Sequence, residues 1–415
     1  MAISGSANIG NTLAYTFLFT EESFTLKLGL HLSANNMRKQ TNCGQKGTAL
    51  FLSGGGARAA YQVGVLKALT HSLPRTAPLP FRIITGTSAG AINSVALGCW
   101  ASCAHLASRK LDAVWGQFHT SHVYRSDFVH VFGHLLRNIL TSFRSGHANH
   151  APGSLFNNAP LRRLLAEVLP MERIDRNIHR GIIDALAVTA SNYSNGDSIT
   201  FFQSQSAEPW QRVRRQGLKT RIHMEHLMAS SAIPVVFPSV RIRQQYYGDG
   251  SIHQMSPLSS AIHLGADRIF VIGVEAPKDE NRKYAPHYPG ISHIAGHLLD
   301  SVFADTLQAD LERVERINRT LSLLKDREDH KELKHIDTFV INPSHNFNTI
   351  SSEYYDDMPL AIRMLLRGIG VKRYSESSLP SYLLFEKRYT QHLIDLGYQD
   401  GLNKLPELRH FLRLD

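Results

Sequence analysis

The segment Gly86-Thr87-Ser88-Ala89-Gly90 sets a serine between two glycines, after an extended run, Phe81-Arg82-Ile83-Ile84, and before a stretch of helical character over residues 91–107. This is the pattern of a nucleophile elbow, a strand-to-helix corner that carries a reactive hydroxyl. The turn is so tight that the nucleophile takes a strained backbone conformation, and a side chain at either glycine would strike the adjoining strand or helix. The corner pushes the hydroxyl out of the sheet, at the positive end of the helix that follows. Taken alone, the segment also reads as an ordinary Gly/Ser turn, so its meaning depends on what else the chain supplies.

A second glycine cluster stands some thirty residues upstream. Residues 48–53 form a short apolar run stopped by glycines, which reads as a buried strand. Gly54-Gly55-Gly56-Ala57-Arg58-Ala59 follows, and Tyr61, Val65, Leu66 and Leu69 then recur at helical spacing. A strand, a glycine loop and a helix bring backbone N–H groups together at a helix N-terminus, a place suited to an anion. Gly54, Gly56 and Ala59 satisfy the spacing of a dinucleotide pyrophosphate loop, but that reading needs an acidic residue about twenty positions on for the ribose. No Asp or Glu stands between Glu22 and Asp112, and no Gly-Lys-Ser/Thr of a Walker loop follows. The anion that remains is the oxyanion of an acyl-transfer intermediate, formed as Ser88 attacks. One backbone donor to such an oxyanion is typically worth about 10²–10³ in rate.

Two further blocks lie downstream, Ala229-Ser230-Ser231-Ala232-Ile233-Pro234-Val235-Val236-Phe237-Pro238 and Gly248-Asp249-Gly250-Ser251. In this order the four blocks resemble the patatin-like phospholipase family, over roughly residues 48–274. The resemblance implies a Ser-Asp dyad of Ser88 and Asp249 without a histidine. It also implies an oxyanion hole from Gly54, Gly55, Gly56 and Arg58, with Gly86, Gly90 and Gly250 as motif glycines and neither metal nor cofactor. The fold it implies is α/β, a three-layer core with a central, mostly parallel sheet flanked by helices, plus a mainly helical C-terminal extension. Physically, an aspartate acting directly on a serine needs hydrogen-bond reach to the hydroxyl and desolvation to make it a usable base. Asp249 stands between two glycines, which lets its carboxylate approach closely; without the upstream blocks it reads as a plain β-turn residue. Two positions depart from the family pattern: Ala59 replaces a glycine, and Ser251 stands where Gly or Ala is usual. A hydrogen bond from Ser251 to Asp249 would lower its pKa and weaken it as a base.

Three parts follow from this reading: an N-terminal extension over 1–45, a catalytic domain over 46–276 and a mainly helical C-terminal region over 277–415. The extension lacks a basic segment before an apolar core, and Glu21-Glu22 interrupts the apolar stretch 13–30, so it does not read as a secretory signal. It reads as disordered or as a start assigned too early, with Met37 just ahead of the first strand. Within the catalytic part, helices are expected over 109–118, 126–143, 161–169 and 223–230, and strands over 182–192, 198–203, 240–247 and 268–274. The amphipathic helix 126–143 reads as packed on the core or, alternatively, as a lid meeting lipid. Asn195-Gly196-Asp197 is a hairpin turn signal, which accounts for Asp197 as a turn residue rather than a rival acid. Beyond residue 290 the pattern predicts a long helix over 290–324, a charged stretch over 326–334, a strand over 336–341, helices over 358–368 and 379–396, and a polar, basic end from Gly401.

Composition bounds the rest. The 415 residues carry a formal net charge of +10, with 43% hydrophobic and 19% charged residues, which is globular usage rather than disorder. The charge favours an anionic partner or marks a merely solvated basic face; without a dense basic run interleaved with aromatics, nucleic acid is weakly supported and a membrane surface fits at least as well. Three cysteines make no disulfide framework; Cys99 and Cys103 read as small packing residues. Of the 22 histidines, His130/His134 and His293/His297 have helical ligand spacing, but none sits in a known metal motif, and His253 could complete a triad only in place of the direct dyad. The function expected is a serine acyl hydrolase acting on phospholipid or another acyl-ester lipid, cytoplasmic or peripheral to a membrane, with oligomeric state open. The alternatives are a non-catalytic lipid-binding protein on the same scaffold and a thioesterase using the same dyad.

Overall fold

In the computed structural model, residues 47–125, 154–275, 290–323, 333–373 and 377–415 are described. The N-terminal extension, helix 126–143 with its His130/His134 pair and most of the charged stretch 326–334 lie outside them. Ten strands join one sheet: β1 (Thr48–Leu52), β2 (Ile83–Thr87), β3 (Ala185–Asn192), β4 (Ser198–Ser204), β5 (Trp210–Arg212), β6 (Arg215–Lys219), β7 (Val240–Ile242), β8 (Gln245–Asp249), β9 (Arg268–Ile272) and β10 (Asp337–Ile341). Eight of them run in the order β10-β9-β1-β2-β3-β4-β6-β5, parallel from β10 to β3, with β4 antiparallel to β3, while β8 pairs with β3 and with β7 off this path. Short apolar runs without polar alternation suit strands covered on both faces. Leu50, Ile84, Leu186 and Phe270 enter the larger core on one face, and their neighbours Phe51, Ile83, Ala187 and Ile269 enter a second core on the other.

Helices supply the outer layers. Along the chain, α1 (Ala60–His71), α2 (Ala89–Cys99), α3 (Ala104–Trp115), α4 (Ala159–Val168), α5 (Glu172–His179) and α6 (Met224–Ser230) lead to α7 (Ser259–His263). The C-terminal region adds α8 (Ile291–Asp300), α9 (Thr306–Leu323), α10 (Phe347–Glu353), α11 (Leu360–Gly368), α12 (Leu379–Leu383), α13 (Lys387–Asn403) and α14 (Leu405–Phe411). Ala261 of α7 and Leu307, Leu311 and Val314 of α9 cover the second face. The three-layer, mostly parallel α/β architecture is therefore as expected.

Residues 47–415 form one compact unit. Its C-terminal helices pack directly on the first ones. A Cβ at Gly64 of α1 would lie 2.0 Å from the Ile394 carbonyl oxygen, and one at Gly397 of α13 would lie 2.1 Å from that of Tyr61. The two backbones thus touch, and the Tyr61 hydroxyl donates to the nearly buried Asp400 carboxylate at 2.9 Å.

Several elements depart from the pattern-based expectation. The helix of 91–107 stops at Cys99, because Asn177 of α5 donates to the Gly98 and Cys99 carbonyls and the chain reverses into α3. The strand of 240–247 is a hairpin, β7 and β8, turning at Arg243 with φ 56°. The long helix 290–324 is interrupted by a π-helical segment, Ser301–Asp305, and the helix 379–396 is broken before Lys387. The polar, basic end that begins at Gly401 is itself helical, and Gly401 packs against Val65 and Ala68 of α1.

Candidate active site

The loops that leave the carboxyl ends of β1 and β2 make the site. β1 leads toward β2 on one side while β9 leads toward β10 on the other, so their connections diverge and open a crevice there. Ser88 occupies the corner between β2 and α2 with φ 56° and ψ −129°, a positive-φ conformation outside the regions that residues with a side chain ordinarily adopt. That strain is held by close packing: a Cβ at Gly90 would lie 2.3 Å from the Leu52 carbonyl oxygen, and one at Gly86 2.4 Å from that of Gly90. The nucleophile-elbow reading of Gly86 and Gly90 thus has a steric cause in the neighbouring backbone.

Asp249 ends β8, whose last residues pair antiparallel with the end of β3, Ala190 opposite Asp249. This pairing brings two residues far apart in the chain into contact. The Ser88 hydroxyl donates to Asp249 Oδ2 at 2.5 Å, and the Ser251 amide donates to Oδ1 at 3.0 Å. Both side chains are buried, Ser88 at 1% and Asp249 at 0% exposure. Burial raises the Asp249 pKa from 3.8 to about 6, against the opposing pull of hydrogen bonds from Ser88 and Ser251. Ser251 does stabilise the carboxylate as expected, but desolvation outweighs it. Gly250 has no room for a side chain, since its Cβ would lie 2.1 Å from the Thr189 carbonyl oxygen.

The glycine loop lies beside this pair, and Gly54, Gly55 and Gly56 are buried. Gly56 has φ 55° and, with Ser88, borders a cavity of about 740 Å³. Two buried amides hold the loop ends: Gln62 donates to the Ser53 carbonyl at 2.8 Å, and Asn93 donates to that of Ala59 at 3.2 Å. Arg58 turns its side chain away. Its guanidinium donates to Ser381, Tyr382 and Asn348, pairs with Asp300 at 3.2 Å and lies 3.8 Å from the Tyr382 ring centroid. Its amide N–H donates to the Gly55 carbonyl. Arg58 therefore fastens the loop to α10, α12 and the end of α8, and its side chain does not border the cavity.

Ser230, at the end of α6, was not distinguished in the sequence beyond its place in the third block. Its hydroxyl accepts the Ser88 amide at 2.9 Å and donates to the Thr189 carbonyl at 2.6 Å, bridging the elbow to β3. No local pattern marks this role, which depends on α6 meeting β3. Asp197 stays in its hairpin turn, hydrogen-bonded to Asn195 and Gln216. The His253 amide donates to the Ser191 hydroxyl, while the hydroxyl of Ser88 has Asp249 as its partner. His293 and His297 do approach each other, Nε2 to Nε2 at 3.2 Å, but among the described residues no group of three metal-ligating side chains occurs.

The cavity wall is mainly apolar: Ile92, Trp115, Phe118, Leu165, Ile233 and Phe385 contribute to it, with Lys110, Glu167, Glu172 and Arg173 as its charged residues. A buried hydroxyl on a carboxylate, facing an apolar cavity beside a glycine loop, is suited to acyl transfer from a hydrophobic ester. A model of the patatin-like phospholipase family matches residues 50–262, just over half of the chain, and the protein belongs to that family. Among solved structures, it is similar to VipD from Legionella pneumophila, at 13% identity over 87% of this chain and 67% of that one, with a TM-score of 0.32. Human GIVD cytosolic phospholipase A2 matches at 12% identity over 95% and 64%, with a TM-score of 0.41. The type III effector protein ExoU matches at 12% over 86% and 52%, with a TM-score of 0.33. The chain thus spans between about half and two thirds of the length of these structures. No curated protein matches it. No helix among the described residues is long and apolar enough to cross a membrane.

Proposed function

We propose that the protein is a serine lipid acyl hydrolase, of phospholipase A or lysophospholipase type, working through an acyl-Ser88 intermediate. The observation that carries this reading is the 2.5 Å hydrogen bond between the Ser88 hydroxyl and the buried Asp249 carboxylate. Asp249 takes the serine proton as the oxygen attacks the ester carbonyl, and the carbonyl electron pair moves onto its oxygen. The amides of Gly54, Gly55 and Gly56, with the positive end of α2, hold that charge. Collapse of the tetrahedral intermediate breaks the ester C–O bond, and the departing alcohol takes the proton from Asp249. Water, deprotonated by the same carboxylate, then attacks the acyl-serine; collapse of that intermediate breaks the bond to Ser88 Oγ, which takes the proton back from Asp249 as the fatty acid leaves. The route calls on no metal or cofactor.

Family membership and the apolar cavity support a lipid substrate, a phospholipid or another acyl ester. The net charge of +10 suits an encounter with an anionic membrane surface. A fluorophosphonate probe should label the protein, and Ser88→Ala should abolish labelling. Asp249→Asn should lower turnover by about 10²–10⁴ with unchanged circular dichroism. Labelling that persists in the Ser88 variant would remove the mechanism.

A further inference from the structure

We propose that the cavity is a length gauge for one straight acyl chain, laid along α2 from Ser88 to Trp100, with Ala96 and Trp100 setting the length accepted. The inference rests on the acyl-hydrolase reading and adds chain length to it.

Ser88, Ile92, Ala96 and Trp100 all line the cavity. They follow one another at intervals of four, Ile92 and Ala96 on α2 and Ser88 and Trp100 as the residues that flank its two ends, so they form a slowly turning stripe along the helix. At about 1.5 Å of rise per residue, the stripe runs roughly 18 Å from the hydroxyl-bearing residue to the tryptophan. A membrane acyl chain spans one leaflet, about half of the ~30 Å hydrocarbon core. The stripe is therefore long enough for one such chain, lying full length with its carbonyl at Ser88.

The opposite wall changes character at the same place. Along the first half of α2 it includes an aromatic ring: Trp115 lines the cavity, its indole N–H donating to Asn93 Oδ1 at 2.8 Å. At the far end Lys110 stands 6.0 Å from the Trp100 ring centroid. Glu172 and Arg173 line the same cavity, on the helix whose Asn177 caps α2. Three of the four charged residues that line the cavity, Lys110, Glu172 and Arg173, thus gather at the Trp100 end, the fourth being Glu167. A longer chain would have to strip water from these charged groups without returning a partner. A shorter chain leaves apolar wall unfilled, forfeiting roughly fourfold in transition-state binding per absent methylene. Ala96 stands at roughly 12 Å from Ser88 along the axis, and its methyl group is the smallest on the stripe.

The test measures kcat/KM of the full-length protein on hexanoyl, decanoyl and palmitoyl p-nitrophenyl esters in detergent micelles. The parent protein should prefer palmitoyl to hexanoyl by at least about tenfold. Ala96→Phe, with Ala96→Leu as the smaller obstruction should the first not fold, should lower the palmitoyl-to-hexanoyl ratio by about tenfold or more. Trp100→Ala should raise the rate on arachidoyl relative to palmitoyl ester. A flat or short-chain profile in the parent, or an unchanged ratio in a folded Ala96 variant, overturns the gauge while leaving the hydrolase in place. Absence of cleavage of every ester, together with absence of fluorophosphonate labelling, overturns the underlying reading and the gauge with it.

Discussion

At the scale of single residues, Asp249 is held in a state suited to its proposed task. Its pKa of about 6 leaves it ionised at neutral pH yet a stronger base than an ordinary carboxylate. The expected pH profile of kcat/KM therefore rises from acid to a plateau, with a midpoint near 6; a profile flat between about pH 5 and pH 8 would contradict the assignment. The same shift has a consequence for stability. Because the folded-state pKa lies above the ordinary 3.8, the native protein binds the proton more tightly than the unfolded chain. This contribution is fully present below about pH 4 and is lost as pH rises through about 6. Asp249→Asn should accordingly be more stable than the parent by about 1–3 kcal/mol near pH 8, with the difference vanishing near pH 4 in urea unfolding. Ser88 was legible in sequence because a strained corner demands glycines at fixed offsets, whereas Asp249 was legible only through the resemblance of the four blocks to the patatin-like family. Ser230 was not, because its bond to the Ser88 amide exists only once α6 lies against β3. Arg58 was legible as a loop residue, but the direction of its side chain was set by Ser381, Tyr382 and Asn348, some three hundred positions away in the chain.

At the scale of elements, the central strands follow from short apolar runs ended by glycine or serine, and the hairpin of β3 and β4 from Asn195-Gly196-Asp197, where Gly196 has φ 77°. The boundaries that failed are those set by partners. α2 ends where Asn177 collects its last carbonyls, and β7 turns into β8 at an arginine rather than a glycine, so neither carries a local stop signal. The pair α1 and α13 shows the same dependence. Gly397 looks like a weak point in a helix, yet a methyl group there would enter the backbone of Tyr61. Gly397→Ala, which improves helix propensity, should nonetheless destabilise the protein by about 1–3 kcal/mol or more, measured by thermal unfolding. A stabilised variant would contradict the close packing.

At the scale of the whole molecule, the C-terminal helices hold the glycine loop from behind, while the proposed pair Ser88 and Asp249 comes from the first part of the chain. Arg58 joins the glycine loop to residues 300–382, and a Cβ at Gly56 would lie 2.5 Å from the Tyr382 carbonyl oxygen. A chain ended after Val274 should therefore be insoluble or molten, and unreactive to fluorophosphonate despite retaining all four sequence blocks; a folded, labelled truncation would contradict this. The amino-acid order alone carried the elbow and the glycine loop, through local sterics that a few adjacent residues impose, and it carried the α/β class through alternating strand and helix patterns; the pairing of Ser88 with Asp249 it carried only through the resemblance of four ordered blocks to the patatin-like family. Only the folded molecule decided that the carboxylate reaches the hydroxyl, how far its pKa rises and how long the apolar wall beside it runs. Those depend on strand pairing, desolvation and helix packing between segments distant in the chain, and no neighbouring residues can specify them.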